Sequence, residues 1–188
     1  GKVSNFLDLH LENEDGQLAT KVFHKPSYEP YYLPFNSIHP MHMKRNIPFT
    51  MFLRAIRYCS SFQLFIKERE SIRMALLLNK YPDNLIQTQF DSVLKKLNII
   101  GPISIHNYQK IHLAIISTPL QEKSTVDYEK NLFIHFTYCT NMRTFPKRFY
   151  TLWEKYFSSS PINDINPILG TRNVHNLQRQ LAYKEKVR

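Results

Sequence analysis

The stretch that decides the fold of this chain is residues 37–97. It reads SIHPMHMKRNIPFTMFLRAIRYCSSFQLFIKERESIRMALLLNKYPDNLIQTQFDSVLKKL. Apolar residues recur in it at helical spacing in three consecutive segments, which predicts three helices. The first covers about residues 48–59, the second about residues 61–79, and the third begins at the Pro82-Asp83 pair and runs to about Leu97.

A short polar turn, Asn79-Lys80-Tyr81-Pro82-Asp83, separates the second predicted helix from the third. Proline fits the first turn of a new helix, and an acid there suits the positive end of the helix dipole. Two helices joined by such a turn, with a third helix before them, form the outline of a helix-turn-helix unit. The same outline is also typical of an ordinary helical core, so the pattern alone leaves the function open.

Composition and charge bound the class of protein. The chain has 188 residues, of which 43% are hydrophobic, and this is enough to fold around a core. The formal net charge is +10, and a basic surplus of this size favours polyanionic partners, nucleic acid before membrane. Tyrosine and phenylalanine are frequent, which suits stacking on bases, although most of these rings are expected in the core.

The cysteines and histidines give no sign of chemistry. Cys59 and Cys139 occur without a secretory signal, which indicates reduced thiols in a nuclear or cytoplasmic protein that is not secreted. No apolar run is long enough to span a bilayer, so no membrane partner is expected. His39 and His42 lack the further ligands that zinc needs. The sequence therefore predicts no metal site, no cofactor and no cysteine nucleophile.

Short strands flank the helices on both sides. Leucines at positions 7, 9 and 11 alternate with polar residues, and a return strand at 18–22 follows the loop at 13–16, which predicts an N-terminal β-hairpin. The other predicted elements are short strands at 103–105 and 112–116, a strand at 132–138, a loop and amphipathic helix at 143–157, a strand at 167–170, a turn at 170–173 and a final helix at 174–181.

Together these patterns predict an α+β fold in four parts. An N-terminal β-hairpin and extended connector occupy residues 1–36, and the three-helix, helix-turn-helix bundle occupies residues 37–97. Residues 98–131 form an irregular linker with short strands. Residues 132–188 form a small, basic α/β region of strand, helix, strand and helix.

Three strings frame the helical domain: NFLDLHL at residues 5–11, TKVFHKP at 20–26 and YLPFNSIHPMHMK at 32–44. They resemble the end of the reverse transcriptase palm in Penelope-like retroelements and their relatives. In that family an FLD strand and a strand ending in KP form a hairpin, and a Tyr-Leu…Ser-x-His-Pro-x-His-x-Lys segment follows. The arginine-bearing helix, the cysteine region and the Asn-x-Tyr-Pro turn come next in the family's order. The likeness covers about residues 6–97 and, more weakly, about 132–181.

The resemblance implies a function. It makes the chain a carboxy-terminal piece of a Penelope-like reverse transcriptase, with the last palm hairpin, a helical thumb, and a connector that in complete members leads to a GIY-YIG endonuclease, which this chain does not reach. The thumb would grip the template–primer duplex, an RNA–DNA hybrid or RNA, through its sugar-phosphate backbone. The missing palm and fingers domain of the same polyprotein would be its partner.

The polymerase carboxylates are not expected in this chain. The family holds two metal ions with a Tyr-x-Asp-Asp-like turn upstream of the FLD strand, and no Asp-Asp pair occurs here. Asp8 belongs to the FLD motif, which is not the metal motif. A Gly-rich phosphate loop is also missing. The sequence therefore predicts a non-catalytic, nucleic-acid-binding segment.

Charge and placement select the candidate nucleic-acid contacts. Lys44 and Arg45 stand near the predicted start of the first helix, where phosphate binding is favoured because backbone N–H groups point outward. The candidates in the helical domain are Lys44, Arg45, Arg54, Arg57, Arg69 and Arg73. Those in the C-terminal region are Lys147, Arg148, Arg172 and Arg179, which would contact RNA flanking the duplex.

Two rival interpretations stay open. In one, the chain is a DNA-binding helix-turn-helix module whose third helix reads the major groove. The third helix carries little positive charge before Lys95 and Lys96, and this disfavours that interpretation. In the other, the chain is a degenerate retroelement remnant that folds but binds nothing specifically. The abrupt start inside a strand also predicts that the chain is the tail of a longer polypeptide.

Overall fold

The computed structural model describes residues 2–118 and 127–172. The chain divides into two compact units, residues 1–121 (unit 1) and residues 122–188 (unit 2), and each is described by itself. Both units combine helices with strands, which confirms the predicted α+β fold. Within the described ranges no helix is long and apolar enough to cross a membrane.

Unit 1 opens with an antiparallel sheet whose strands follow the order β1–β2–β3. They are β1 Val3–Phe6, β2 Leu9–Glu14 and β3 Gln17–Val22. The pair β2–β3 is the predicted hairpin. The prediction of a single strand through the FLD motif is wrong, because Leu7 at φ +52° reverses the chain between β1 and β2. A strand of four residues is too short to show a clear alternation, so the sequence did not reveal β1.

The end of β3 attaches the sheet to the helices. The Thr20 hydroxyl donates to the Tyr58 carbonyl at 2.7 Å. The Thr20 amide donates to the Ser60 hydroxyl at 2.9 Å, and the Ser60 amide donates back to the Thr20 carbonyl at 2.9 Å. Val22 is buried among the core side chains. The sheet and the helical domain therefore form one packed body.

The three predicted helices are confirmed as α1 Met41–Tyr58, α2 Phe62–Leu78 and α3 Asp83–Lys96. Helix α1 begins about two turns before the predicted start at Pro48, because Pro40 already precedes its first residue. Pro48 lies inside the helix, where it removes one backbone hydrogen-bond donor. Its side chain is fully buried and packs in the core.

The strands predicted at residues 103–105 and 112–116 are wrong, and so is the prediction of an irregular linker there. Residues Tyr108–Ser117 form helix α4. The Tyr108 hydroxyl donates to the Cys59 carbonyl at 2.6 Å, and His112 Nε2 donates to the Arg57 carbonyl at 3.1 Å. These carbonyls lie at the end of α1, where a helix leaves acceptors free. A short apolar run is compatible with either a strand or a helix, and the packing against α1 selects the helix.

The centre of the unit 1 core is aromatic. Phe65 of α2 is fully buried, and its ring centroid lies 5.2 Å from that of Tyr108 on α4 and 6.4 Å from that of Phe90 on α3. Phe52 of α1 meets Phe90 edge-on at 5.2 Å. These four rings join all four helices of the unit, so the core fixes the helix-turn-helix arrangement from inside.

Unit 2 contains β4 Asn131–Thr137, α5 Phe145–Phe157 and β5 Asn166–Arg172. The strands pair in parallel, and α5 makes the crossover between them. The predicted strand, helix and strand are confirmed. The turn predicted at 170–173 is wrong for residues 170–172, which complete β5. The final helix predicted at 174–181 lies outside the described residues.

Candidate nucleic-acid interface

The charged residues of helix α1 are all positive. The helix contains Lys44, Arg45, Arg54 and Arg57 and no acidic residue. These four residues are the leading candidate contacts predicted from the sequence. The structure gives the four side chains different environments.

Lys44 is an internal residue. Only 7% of it is exposed, its ammonium donates to the Ser37 carbonyl, and the ammonium also lies 5.4 Å from the centre of the Phe35 ring. The side chain thus holds the connector against the start of α1. Because a phosphate cannot approach a buried ammonium, we do not place Lys44 in the interface.

Arg54 is tied to the FLD motif. Its guanidinium contacts the Asp8 carboxylate at 3.4 Å, and the side chain is about one-third exposed. Asp8 lies in the turn between β1 and β2, so the contact joins that turn to α1. Since an exposed ion pair contributes little stability, the carboxylate competes only weakly with a phosphate for Arg54.

Arg45 and Arg57 are the exposed cations of α1. They lie twelve positions apart, about 18 Å along the helix axis. Arg57 shares its exposed face with Asn46, whose side-chain amide can donate to a phosphate oxygen, and with Thr50, whose hydroxyl donates back to the Asn46 and Ile47 carbonyls. Arg45 lies about 120° around the helix from Arg57, so the two arginines are exposed on different sides of α1.

The predicted contacts on α2 are engaged in holding α3. The Arg69 guanidinium lies over the Phe90 ring, 4.2 Å from its centre. Arg73 Nε donates to the Asp83 carboxylate at 3.0 Å and also approaches Glu70 at 4.0 Å. The hydrogen bond to Asp83 raises the pKa of Arg73. Both arginines therefore join the two helices on either side of the turn.

Helix α3, which follows the turn, has a weakly charged exposed surface. Its first turn carries Asp83, and Gln87 donates to the Asp91 carboxylate at 2.9 Å. Its cations are Lys95 and Lys96, both in the last turn. A helix that enters the major groove needs phosphate anchors near its reading residues, and α3 places its two cations at the far end.

The turn between α2 and α3 holds the connector. The buried Asn79 amide donates to the Pro30 and Ala75 carbonyls, both at 2.7 Å, and its oxygen accepts from the Tyr32 amide at 3.1 Å. The Tyr81 hydroxyl donates to the Leu33 carbonyl at 2.9 Å. The sequence identified this turn by its proline, but its Asn and Tyr act on a segment almost fifty residues away.

A second contact holds the segment that follows β3. His24 Nε2 donates to the nearly buried Glu68 carboxylate of α2 at 2.9 Å. Sequence reasoning placed Asn79 in the turn but predicted no internal partner for it, and it did not single out Glu68. Both are polar residues at positions that the helical periodicity assigns to the buried side, and this signal would have pointed to internal partners.

In unit 2 the topology brings three predicted contacts to one end. Arg172 is the last residue of β5, at the carboxyl end of the parallel sheet. Lys147 and Arg148 lie in the first turns of α5, which begins shortly after the carboxyl end of β4. All three are exposed, and so is Arg143, which lies between β4 and α5. Arg179 lies outside the described residues.

The described residues hold no cluster of histidine, cysteine or acidic side chains that could bind a metal ion. The cysteines differ sharply. Cys139 is exposed, whereas burial raises the pKa of Cys59 from about 9 to about 11. At neutral pH the Cys59 thiol stays protonated, and only a thiolate is an effective nucleophile.

We expect a maleimide to label Cys139 quickly at neutral pH and Cys59 at least about 100-fold more slowly, because two pKa units reduce the thiolate fraction by that factor. Mass spectrometry of the labelled peptides measures both rates. As the raised pKa belongs to the folded state, the free energy of unfolding should fall when the pH rises from about 9 to about 11. Equal labelling of both thiols would contradict the buried position of Cys59.

Comparison with known proteins gives one result for the helical domain. Residues 31–91 match the family model described as the animal helix-turn-helix domain. The match begins in the connector, covers α1, α2 and the turn, and ends within α3, which confirms the helix-turn-helix unit predicted within residues 37–97. No curated protein and no solved structure matches the chain.

Proposed function

We propose that this chain binds nucleic acid and that unit 1 grips a template–primer duplex through its sugar-phosphate backbone, as the thumb of a Penelope-like reverse transcriptase. The observation that carries the proposal is the charge of α1, which has two exposed arginines, neutral polar residues on its outer side and no acid. Such a surface suits phosphates.

The contacts of the motif residues support the thumb assignment. Asp8 pairs with Arg54, His24 pairs with Glu68, and Asn79 holds the connector. The hairpin, the connector and the helices are thereby coupled into one body. In a polymerase this body would transmit the position of the duplex from the thumb to the palm, which the same polyprotein would supply.

No catalytic step is assigned to this chain. The resemblance locates the metal-binding carboxylates upstream of the FLD motif, so we infer that chemistry belongs to the palm domain. In unit 2, Lys147, Arg148 and Arg172 would contact RNA that flanks the duplex.

A second candidate is a DNA-binding helix-turn-helix module that inserts α3 into the major groove. The match of residues 31–91 to an animal helix-turn-helix domain favours this candidate. Asp83, the Gln87–Asp91 hydrogen bond and the terminal position of Lys95 and Lys96 disfavour it. The two candidates differ in which helix touches the nucleic acid, and a pair of matched variants can separate them.

We would measure binding of the full chain to an RNA–DNA hybrid, double-stranded DNA and single-stranded RNA by fluorescence anisotropy across a salt series. Arg45→Ala/Arg57→Ala removes the exposed cations of α1. Lys95→Ala/Lys96→Ala removes the same charge from α3 and is the matched control. Each lost phosphate contact should reduce the salt slope by about 0.9.

For a thumb, the hybrid binds best, and only the α1 variant weakens binding and flattens the salt slope, by up to about two units. Sequence-selective binding to double-stranded DNA that is lost in the α3 variant would replace the thumb with the groove reader. Weak, salt-insensitive binding to every probe would overturn both candidates and leave the degenerate remnant.

A further inference from the structure

One face of the unit 2 sheet lies away from α5. The Phe136 ring meets the Phe145 ring of α5 at 4.7 Å, so the side chains on the Phe136 side of the sheet face the helix. Side chains alternate along a strand, and paired residues share a face. The opposite face, called the open face, consists of Asn131, Phe133, His135 and Thr137 of β4 with Asn166, Ile168, Gly170 and Arg172 of β5.

Aromatic side chains are accessible on the open face. Phe133 is 44% exposed and its partner across the strands, Ile168, is 37% exposed. Tyr128, which precedes the strand, adds a ring whose centroid lies 6.0 Å from that of Phe133. Large rings accessible to solvent on a sheet are a surface on which other flat groups can stack.

Gly170 makes room for a second ring. It pairs with His135, and a Cβ atom built at position 170 would come within 2.8 Å of His135 Cδ2. Since real Cβ atoms essentially never come so close, any other residue at 170 would displace the imidazole. The glycine thus lets the His135 ring lie over the backbone of β5, two residues from Phe133 and about 7 Å along the strand.

The charge of the open face is positive or neutral. None of its eight residues is acidic, and Arg172 stands at its carboxyl end beside Thr137. This combination fits a strand of nucleic acid, because bases stack on rings while phosphates pair with cations.

We propose that the open face binds single-stranded nucleic acid, with bases stacked on Phe133 and His135 and a backbone phosphate held by Arg172. This inference rests on the proposed function and extends it. Unit 1 binds the duplex, and the open face binds single-stranded nucleic acid. Stacking is tolerant of base identity, so binding is independent of sequence.

The test compares two probes on the full chain, a blunt RNA–DNA hybrid and the same hybrid with a single-stranded extension made of RNA or of DNA. Phe133→Leu keeps an apolar side chain and removes the ring, whereas Phe133→Tyr keeps the ring. Gly170→Ala displaces His135. Tyr156→Leu, which removes an exposed ring of α5, is the matched control.

The wild-type chain should bind the extended hybrid more tightly than the blunt one. Phe133→Leu and Gly170→Ala should each reduce that advantage by about fivefold or more, since a stacked base contributes at least that factor. Phe133→Tyr and Tyr156→Leu should retain it, and binding of the blunt hybrid should not change. The fluorescence of Trp153, the single tryptophan, reports whether unit 2 stays folded in each variant.

Several results would overturn the inference. If the extension adds no affinity while the blunt hybrid still binds, the open face fails and the grip of unit 1 stands. If Phe133→Leu and Phe133→Tyr lose the advantage equally, or if Tyr156→Leu loses it too, stacking on this face is excluded. If neither probe binds the wild-type chain, the proposed function fails with it. Should one variant unfold unit 2, the other of Phe133→Leu and Gly170→Ala decides.

Discussion

Phe65→Ala should lower the free energy of unfolding of unit 1 by about 3–5 kcal/mol, the usual cost of truncating a fully buried phenylalanine. Phe65 has no exposed surface, and its ring lies between those of Phe90 and Tyr108. Alanine would leave a cavity where α2, α3 and α4 meet. A loss of this size approaches the whole stability of a typical domain.

Urea denaturation followed by far-UV circular dichroism measures this effect, since four of the five α-helices in the described part of the chain belong to unit 1. Trp153 fluorescence follows unit 2 separately. Phe62→Ala is the control, because it removes the same side chain from a half-buried position three residues away. A shift no larger for Phe65→Ala than for Phe62→Ala would show that the centre of the core lies elsewhere.

Asn79→Ala is the second substitution with a large expected effect, a loss of about 2–4 kcal/mol. It would leave the Pro30 carbonyl and the Tyr32 amide without the partners that the Asn79 side chain provides. Leaving buried polar groups unsatisfied costs more than the hydrogen bonds themselves contribute. Asn79→Asp should be worse, because it places a carboxylate opposite the Pro30 and Ala75 carbonyl oxygens.

Two measurements check the Asn79 prediction. Chemical denaturation gives the free energy, and limited proteolysis reports whether the connector has come away from the helices. We expect chymotrypsin to cut after the exposed Tyr31 faster in the variant than in the wild type. Asn84→Ala changes an exposed asparagine on α3 and should alter stability by no more than about 0.5 kcal/mol. If the Asn79 and Asn84 variants are cleaved at the same rate, the turn does not hold the connector.

If this prediction is correct, the helix-turn-helix turn has an internal role. Its asparagine and tyrosine bind backbone groups of residues 30–33, and its backbone accepts from Phe35. These bonds fix the connector against the bundle.

The local sequence determined the helical domain. Helical periodicity identified α1, α2 and α3, and the Pro82-Asp83 pair marked the start of α3 at the correct residue. These signals are local, because a helix satisfies its backbone within itself and shows its buried side as a repeat of three and four residues. The same reasoning predicted the hairpin β2–β3 and the order of strand, helix and strand in unit 2, and the structure confirms both.

The prediction from local patterns was wrong where the same residues are compatible with either a strand or a helix. The residues of α4 include a run of apolar and β-branched side chains, and the sequence alone favoured strands. The tertiary structure decided for a helix, because Tyr108 and His112 on one side of it find the Cys59 and Arg57 carbonyls at the end of α1. No property of residues 108–117 taken by themselves reveals those acceptors.

The tertiary structure alone decided the surroundings of each candidate cation. Lys44 proved internal, Arg54 met an aspartate forty-six positions away, and the exposed Arg73 met Asp83 across the turn, while Arg45 and Arg57 lie on the exposed side of α1. The sequence selected all five as candidates from their charge and placement. Which group lies next to each charge depends on folding, because folding brings distant residues together. The strength of the interaction then depends on the distance between the two charges and on their burial.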